Sequence, residues 1–262
     1  MVVNNGKRST EKKVLIQVNN RKGDWVTDVS IPFKLNNRPK NPAFDDKNFY
    51  ITLCTTRRKA KEINDAKLIE LKEEEFVFAG EIKDKFPMGS LPTDLNLKLK
   101  NGAQVIFIQN DYTGEKKYVN GSLGKIVELS EDTIKVELEN GKLVEVEQTF
   151  WENLQYKFNP EKNKIEDEVV GTFTQYPLKL AWAITIHKSQ GLTFDHVIVD
   201  LDRGAFAAGQ LYVALSRCTS IEGLILKTKI RQSDIIVRQE VLDYYTKMND
   251  RTQLMKAINS RN

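Results

Sequence analysis

Residues 49–56 read FYITLCTT, a run of β-branched and aromatic residues bounded by polar ones, which predicts a buried strand. It passes directly into RRKAKEINDAKLIELKEEE (57–75), where Ala60, Ile63, Ala66 or Lys67, and Leu68 fall at helical spacing. A strand followed at once by a helix is the α/β unit. A second strand is predicted in NGAQVIFIQND (101–111), after a polar turn.

The texture changes between Tyr118 and about Phe158. GKIVEL, TIKVEL and KLVEVE alternate apolar and polar positions and are joined by SED and ENG, the latter a hairpin turn. Alternation implies one wet face, so the pattern predicts a small antiparallel barrel inserted into the α/β domain. The turn-rich NPEKNK with the strands either side predicts an exposed hairpin. From Leu178 the α/β texture resumes: a helix over LKLAWAITIHKSQ, a glycine stop, a strand in HVIVDL (196–201), a helix in GQLYVALSRC (209–218) and a strand in GLILKT (223–228). A last amphipathic helix is predicted over 234–258, and the first 48 residues, rich in turns and poor in periodicity, form a loosely ordered leader.

Two polar helix ends stand out. Read as a helix, 180–190 puts Leu180, Ala183, Ile184 and His187 on one face, while Thr185, Lys188 and Ser189 leave it together and Gly191 suits the left-handed stop. Such an end can contact phosphate or nucleic acid, or it can be a satisfied histidine beside a solvated tip. In GQLYVALSRC, Gln210 and Arg217 are seven apart on one predicted face, with Leu211, Ala214 and Leu215 as the buried stripe. Arg217 needs an anionic partner, either in an internal salt bridge or on a ligand.

Charge and composition narrow the classes. The 262 residues are 40% hydrophobic and 29% charged, a soluble globular balance with a formal net charge of +4. That charge is uneven: residues 1–40 hold nine Lys or Arg against three acids, residues 227–262 hold eight against four, and the middle is acidic, 23 against 29. Nucleic-acid contact must therefore come from placed side chains or from the ends. No apolar run is long enough to span a membrane and no signal peptide is predicted, so a cytosolic protein is expected. Cys54 and Cys218 lack metal spacing and are expected as reduced thiols, with no metal site. No G-x-x-x-x-G-K-[ST] phosphate loop is present: NGKRS, GSLGKI and NGKLV each fail the pattern. The aspartate ending the strand in HVIVDLD, Asp200, is therefore expected to be structural.

AITIHKSQGLTFD followed by GQLYVALSRCTSIEGL resembles motifs V and VI of superfamily 1 helicases of the RecD-like group, most closely the petite-integration-frequency (PIF) family. ITLCTTRRKAKEIN resembles motif IV, and LKNGAQVIFIQND with VNGSLGKI resembles the entry to the family's inserted small barrel; the likeness covers roughly residues 48–230. In these helicases ATP sits between two RecA-like domains, and only the first carries the phosphate loop and the magnesium aspartate. The chain is similar to the second domain alone, as a C-terminal half, a split gene product or a remnant.

The resemblance implies five segments: an irregular basic leader (1–47), a first RecA-like part (48–117), the inserted barrel (118–158), a second RecA-like part with motifs V and VI (159–230) and a C-terminal helix (231–262). It implies Arg217 as an arginine finger, with Gln190, Gly191 and Gln210 on the nucleotide side. Thr55, Thr56, Asn64, Thr185, His187 and Lys188, with Asn120, Gly121 and Lys125 of the insert, would face single-stranded DNA. Arg57 and Arg58 stand where motif IV more usually has a polar pair. ATP and magnesium would be shared with a P-loop-bearing RecA-like domain, in cis or in trans, and the isolated chain would bind neither as its own cofactor and be inactive alone. The implied function is the second motor domain of an ATP-dependent 5′-to-3′ DNA helicase; the alternative is an ATP-independent module binding single-stranded DNA or protein.

Overall fold

The computed structural model describes residues 2–4, 13–19, 25–28, 36, 49–113, 115–160, 162–241 and 243. The chain divides into two units, one of Met1–Phe44, Thr52–Ala60 and Ile184–Asn262, the other of Asp45–Ile51 and Lys61–Ala183.

The first unit carries the α/β sheet. Strands β4 (Tyr50–Cys54), β15 (Ala183–Thr185), β16 (His196–Asp200) and β17 (Leu224–Leu226) lie in the order β15-β4-β16-β17, with β16 and β17 parallel. Leu53, Cys54, Val197, Val199, Leu224 and Ile225 are buried, as continuous apolar runs in a sheet covered on both faces should be. Helix α1 (Arg57–Glu70) follows β4 as expected, and helix α2 (Gln210–Leu215) buries Leu211, Ala214 and Leu215. A further antiparallel sheet pairs β1 (Val2–Asn4), β2 (Lys13–Asn19) and β3 (Trp25–Asp28) in that order. This corrects the expected irregular leader at those residues: β-branched VLIQV and WVTD flank the turn-rich NNRKGD, which is a hairpin pattern. The rest of 1–47, apart from Asn36, lies outside the described residues. So does most of the expected C-terminal helix, of which residues 239–241 and 243 are described as helical.

The helix predicted over 178–190 is not there. Leu178–Leu180 form strand β14, antiparallel to β8 (Gln104–Phe107), and Ala183–Thr185 form β15. Within β15, Ala183 and Thr185 are buried and Ile184 is half-buried, a period of two. An apolar run that pairs on both sides satisfies helical and extended spacing alike, and strand pairing decides between them.

The second unit is antiparallel. Strands β9 (Leu123–Leu129), β10 (Ile134–Leu138) and β11 (Leu143–Glu145) form the expected alternating meander. They continue through β8 into β14, giving the order β11-β10-β9-β8-β14. That order has two ends, so the pairings describe an open five-stranded sheet rather than the expected closed barrel, and it draws in residues beyond 118–158. Beside it are the pair β5 (Phe76–Ala79) and β7 (Asn96–Leu99), which sequence patterning did not pick out. The long hairpin of β12 (Thr149–Asn159) and β13 (Lys164–Gln175) is joined by β6 (Glu81–Asp84) along Gly171–Thr174. The core gathers Leu97, Leu99, Val105, Phe107, Ile126, Ile134, Val136 and Leu178, each contributing about 1.5–3 kcal/mol by burial.

Side-chain amides tie the irregular edges of this unit. Asn64 Nδ2 donates to the carbonyls of Ala183 (2.8 Å) and Leu180 (3.3 Å), and Asn64 Oδ1 accepts the Ala183 N–H (2.8 Å). Fully buried Gln175 donates from Nε2 to Phe78 O (2.9 Å) and Leu95 O (3.1 Å) and accepts the Tyr176 N–H at Oε1 (2.9 Å). Replacing Gln175 by leucine keeps the volume but removes the side-chain donor to the Phe78 carbonyl and the acceptor of the Tyr176 N–H, while Leu95 O keeps the Gly80 N–H (2.6 Å). Gln175→Leu should lower unfolding stability by about 2–4 kcal/mol, read from the urea midpoint. A midpoint equal to the parent's would show that water replaces the amide.

Candidate functional site

In the first unit the segment TIHKSQG (185–191) runs from the last residue of β15 into a turn. Ile186 N–H donates to Cys54 O (2.9 Å), which brings the turn beside the end of β4 and the Thr55–Thr56 bend. The residues then sort by burial. Thr185 Oγ1 accepts the Lys188 N–H (3.2 Å), and Ser189, fully buried, donates its hydroxyl to Ile186 O (2.7 Å). His187, Lys188, Gln190 and Gly191 are exposed. Gly191 has φ +82°, with open space where a Cβ would stand, so glycine is needed there for backbone conformation and not for room. Thr185 is thus a turn former with little surface, whereas His187, Lys188 and Gln190 present side chains to solvent.

Thr55 is half-buried and Thr56 exposed; Thr56 caps α1, its Oγ1 accepting the Lys59 N–H at 3.3 Å. The first turn of that helix carries no acid and holds Arg57, Arg58 and Lys59. Asn64 lies in the second unit, and its amide is spent on the backbone of 180 and 183, so the structure gives it a bracing role.

Arg217 lies just beyond α2, which is shorter than predicted and ends at Leu215. The expected shared helical face with Gln210 is therefore absent. Gln210 instead accepts the Phe206 N–H at Oε1 (3.0 Å) and closes the loop before α2. The half-buried guanidinium of Arg217 donates from Nε to Val213 O (3.1 Å), from Nη1 to Leu192 O (3.0 Å) and Ser189 O (3.5 Å), and from Nη2 to Ser216 Oγ (2.8 Å). It staples the 189–192 turn to the end of α2. Among the described residues it makes no salt bridge, so the internal ion pair expected as one alternative is not found. Carbonyl dipoles orient the cation without neutralising it.

Two buried acids of this unit are engaged. Asp200, buried at the end of β16, accepts the Asp202 N–H at Oδ1 (3.0 Å), and its Oδ2 lies 2.9 Å from Lys227 Nζ. That ion pair is a contact of charges without hydrogen-bond alignment, since Oδ2 lacks an aligned donor. Buried Asp234 accepts the N–H groups of Arg231 (2.7 Å) and Ala205 (3.1 Å), and Arg231 Nη2 reaches Arg203 O (2.6 Å), fixing the loop that leads to α2. A Cβ on Gly204, at φ +124°, would meet Asp234 Oδ1 at 2.7 Å. Asn36 also clamps the chain beyond β17: its Nδ2 donates to Ile230 O (3.1 Å) and its Oδ1 accepts the Ile230 N–H (2.8 Å). Sequence patterning missed Asn36 and Asp234 because their partners lie far along the chain or in loops. Burial, then the Asp200 charge, pushes the Cys54 thiol up to about 12, and burial also raises Cys218; neither is a thiolate at neutral pH. Among the described residues no cluster of His, Cys, Asp or Glu could hold a metal, and no helix is long and apolar enough to cross a membrane.

In the second unit, Asn120, Gly121 and Lys125 flank the β8–β9 loop. Asn120 N–H donates to Asn110 Oδ1 (2.8 Å), Gly121 N–H to Phe107 O (2.8 Å) at φ +96°, and Lys125 is exposed on β9. The loop is organised by Asp111: Oδ1 accepts the Thr113 N–H (2.9 Å) and hydroxyl (2.7 Å), and Oδ2 accepts the Lys117 N–H (2.7 Å). Burial opposes the Asp111 charge, yet these donors and the Lys117 ammonium outweigh it and hold the carboxyl below its ordinary value.

Residues 180–220 match the UvrD-like helicase C-terminal domain family. The chain is 36% identical over 191 residues to the ATP-dependent DNA helicase Pif1 of Bdellovibrio bacteriovorus, an alignment covering 71% of the chain and 40% of that helicase. Against the ATP-dependent DNA helicase PIF1 of Danio rerio it is 32% identical over 217 residues, covering 78% and 31%. Unliganded Pif1 from Bacteroides superposes with a TM-score of 0.73 at 39% identity, covering 85% of the chain and 51% of that protein. Bacteroides Pif1 bound to ssDNA gives 0.64 at 40% identity, covering 83% and 48%. The chain spans about half the length of these solved relatives and less than half of the curated ones.

Two measurements check this geometry. Arg217→Ala should cost about 1–3 kcal/mol in urea unfolding, because several charged hydrogen bonds to carbonyls are lost but no buried acid is left unpaired; Arg217→Lys should recover less than half of it. A loss beyond that range would reveal an acidic partner. For Asp111, whose folded value is depressed, stability is present above its unfolded value and lost as pH falls through the folded one. Exchange protection of the Thr113 and Lys117 amides should therefore collapse on acidification below the usual carboxylate range, and Asp111→Asn should abolish that pH step.

Proposed function

We propose, from the premise that the chain belongs to the PIF family of superfamily 1 helicases as their C-terminal, second RecA-like region, that it is a motor domain working with a P-loop-bearing RecA-like domain. That domain lies in the same protein or in a partner, and ATP with magnesium would be held mainly by it. This chain would contribute Arg217, with Gln190, Gly191 and Gln210 on the nucleotide side. His187, Lys188, Thr55 and Thr56 would face single-stranded DNA together with Asn120, Gly121 and Lys125, and translocation would run 5′ to 3′. Asn64 and Thr185 would brace these surfaces from within.

The observation that carries the reading is the Arg217 guanidinium: half-buried, fixed by carbonyls of two segments, and without a carboxylate partner among the described residues. A cation held in that way has its geometry set and its charge unspent, which suits it to a phosphoryl group supplied from outside the unit. In related enzymes such an arginine contributes on the order of 10³–10⁵ in rate. The exposed His187 and Lys188 and the lack of a phosphate loop in the sequence support the same division of labour.

The test is reconstitution. The pure chain with saturating single-stranded DNA should release no phosphate, and adding a purified P-loop domain of the same family should give DNA-stimulated turnover. Arg217→Lys should abolish that turnover while DNA affinity stays within about twofold, since an ammonium keeps the charge but not the planar fork. Turnover by the chain alone, or full turnover in the lysine variant, would defeat the proposal. DNA binding with no turnover under any pairing would favour an ATP-independent binding module.

A further inference from the structure

The loop between β8 and β9 holds side chains that neither the motifs nor the family likeness singled out. Its inner side is tightly satisfied. Besides the three hydrogen bonds to Asp111, the Tyr118 ring stacks on Phe107 at 3.9 Å between centroids, and Ser122 Oγ accepts the Val119 N–H at 3.1 Å. The loop is therefore set without help from a ligand. Its outer side is unusual. Tyr112, next to the Asp111 anchor, is 76% exposed, and Val119 is 56% exposed. Lys116 is exposed and held at φ +49°, a left-handed conformation that a lysine adopts at some cost. Lys142, from the turn between β10 and β11, reaches across to donate to Lys117 O (3.4 Å), so a second loop adds its ammonium to the same patch.

Two of the local acids are engaged: Asp111 is turned inward onto its three donors and Glu115 sits 3.2 Å from Lys117 Nζ, while Glu147 is exposed. Lys116 and Lys142 make no ion pair among the described residues. The loop thus carries an exposed aromatic ring at Tyr112 and an exposed lysine at Lys116 on a hydrogen-bonded base, and the Lys142 ammonium reaches its backbone at Lys117. Single-stranded nucleic acid is recognised by that combination: bases stack on aromatic faces while the backbone follows the positive charge.

We infer that Tyr112 is a base-stacking platform for single-stranded DNA on the second unit, with Lys116 and Lys142 contacting the phosphates on either side of the stacked nucleotide. Asp111 is the positioning residue: its carboxylate fixes the turn from which Tyr112 projects. The inference rests on the DNA-binding reading above and adds a contact to Asn120, Gly121 and Lys125. It also divides the labour, because stacking is insensitive to salt and to base identity, whereas the lysines set the salt dependence. A rigid, preset platform also binds without the entropic cost of ordering a loop.

The experiment titrates the full chain with a fluorescein-labelled oligothymidylate and reads anisotropy at a series of salt concentrations. Tyr112→Ala and Tyr112→Leu should each weaken binding about tenfold with an unchanged salt slope, while Tyr112→Phe should bind within about twofold of the parent. Lys116→Ala combined with Lys142→Ala should lower the slope of log affinity against log salt by about 1–2. Melting temperatures control for folding, and because Tyr112 is exposed its variants should melt like the parent. Should Tyr112→Ala melt early, the leucine variant, which keeps the apolar bulk without the π face, carries the decision. A parent that binds DNA together with a Tyr112→Leu variant that binds equally well overturns the platform and leaves the motor-domain reading intact. A parent with no affinity for the oligonucleotide overturns the platform as well, and reconstituted turnover then judges the motor-domain reading separately.

Discussion

A backbone carbonyl taken out of water must find a donor. In this chain the donors at strand ends and turns are repeatedly side chains from distant segments. Asn64 serves the β14–β15 connection, Gln175 serves the chain beside β5 and β7, and Gln104 Nε2 serves the carbonyls of Tyr50 (3.0 Å) and Ala181 (2.9 Å). In the first unit Asn36 does the same for Ile230, and Arg217 for the turn after β15. Each amide stands in for a peptide group, giving and receiving where regular pairing has stopped. Short strands of three residues such as β14 and β15 can persist because their ends are satisfied in this way.

Arg217 belongs to that set and differs in one respect. An amide that satisfies a carbonyl is neutral, but a guanidinium brings a charge that carbonyl dipoles orient and do not cancel. The two buried acids of this unit are engaged elsewhere: Asp200 with Lys227 and the Asp202 N–H, Asp234 with the backbone of Arg231 and Ala205. A bracing contact and a poised cation are thus one arrangement. The turn that Arg217 staples is also the one that exposes His187, Lys188 and Gln190, so a displacement of the guanidinium would act directly on that turn.

The second unit uses charge differently. Its Asp111 has both oxygens filled by the chain, and its role is to hold shape rather than to meet a ligand. What the loop then offers outward is aromatic and cationic. The two units thus offer different surfaces, a turn of small polar groups with one fixed arginine and a rigid loop with an exposed ring.

The sequence alone determined the elements whose signal is local. FYITL, HVIVD and GLILK are strands because a continuous apolar run has one good way to be buried, and α1 follows from helical spacing directly after a strand. Motifs V and VI were legible as text, and with them the family and the attention drawn to Arg217. Only tertiary structure decided the rest. LKLAWAIT became two strands because β8 and the sheet in the order β15-β4-β16-β17 offered partners, and local spacing cannot register partners. The meander became part of a wider open sheet because Gln104–Phe107 and Leu178–Leu180, remote in sequence, pair at its edge. Asn64 read as a ligand contact until its amide was seen on the backbone of 180 and 183. A side chain's type is written in the sequence, but the group it satisfies is set by which segments fold beside it.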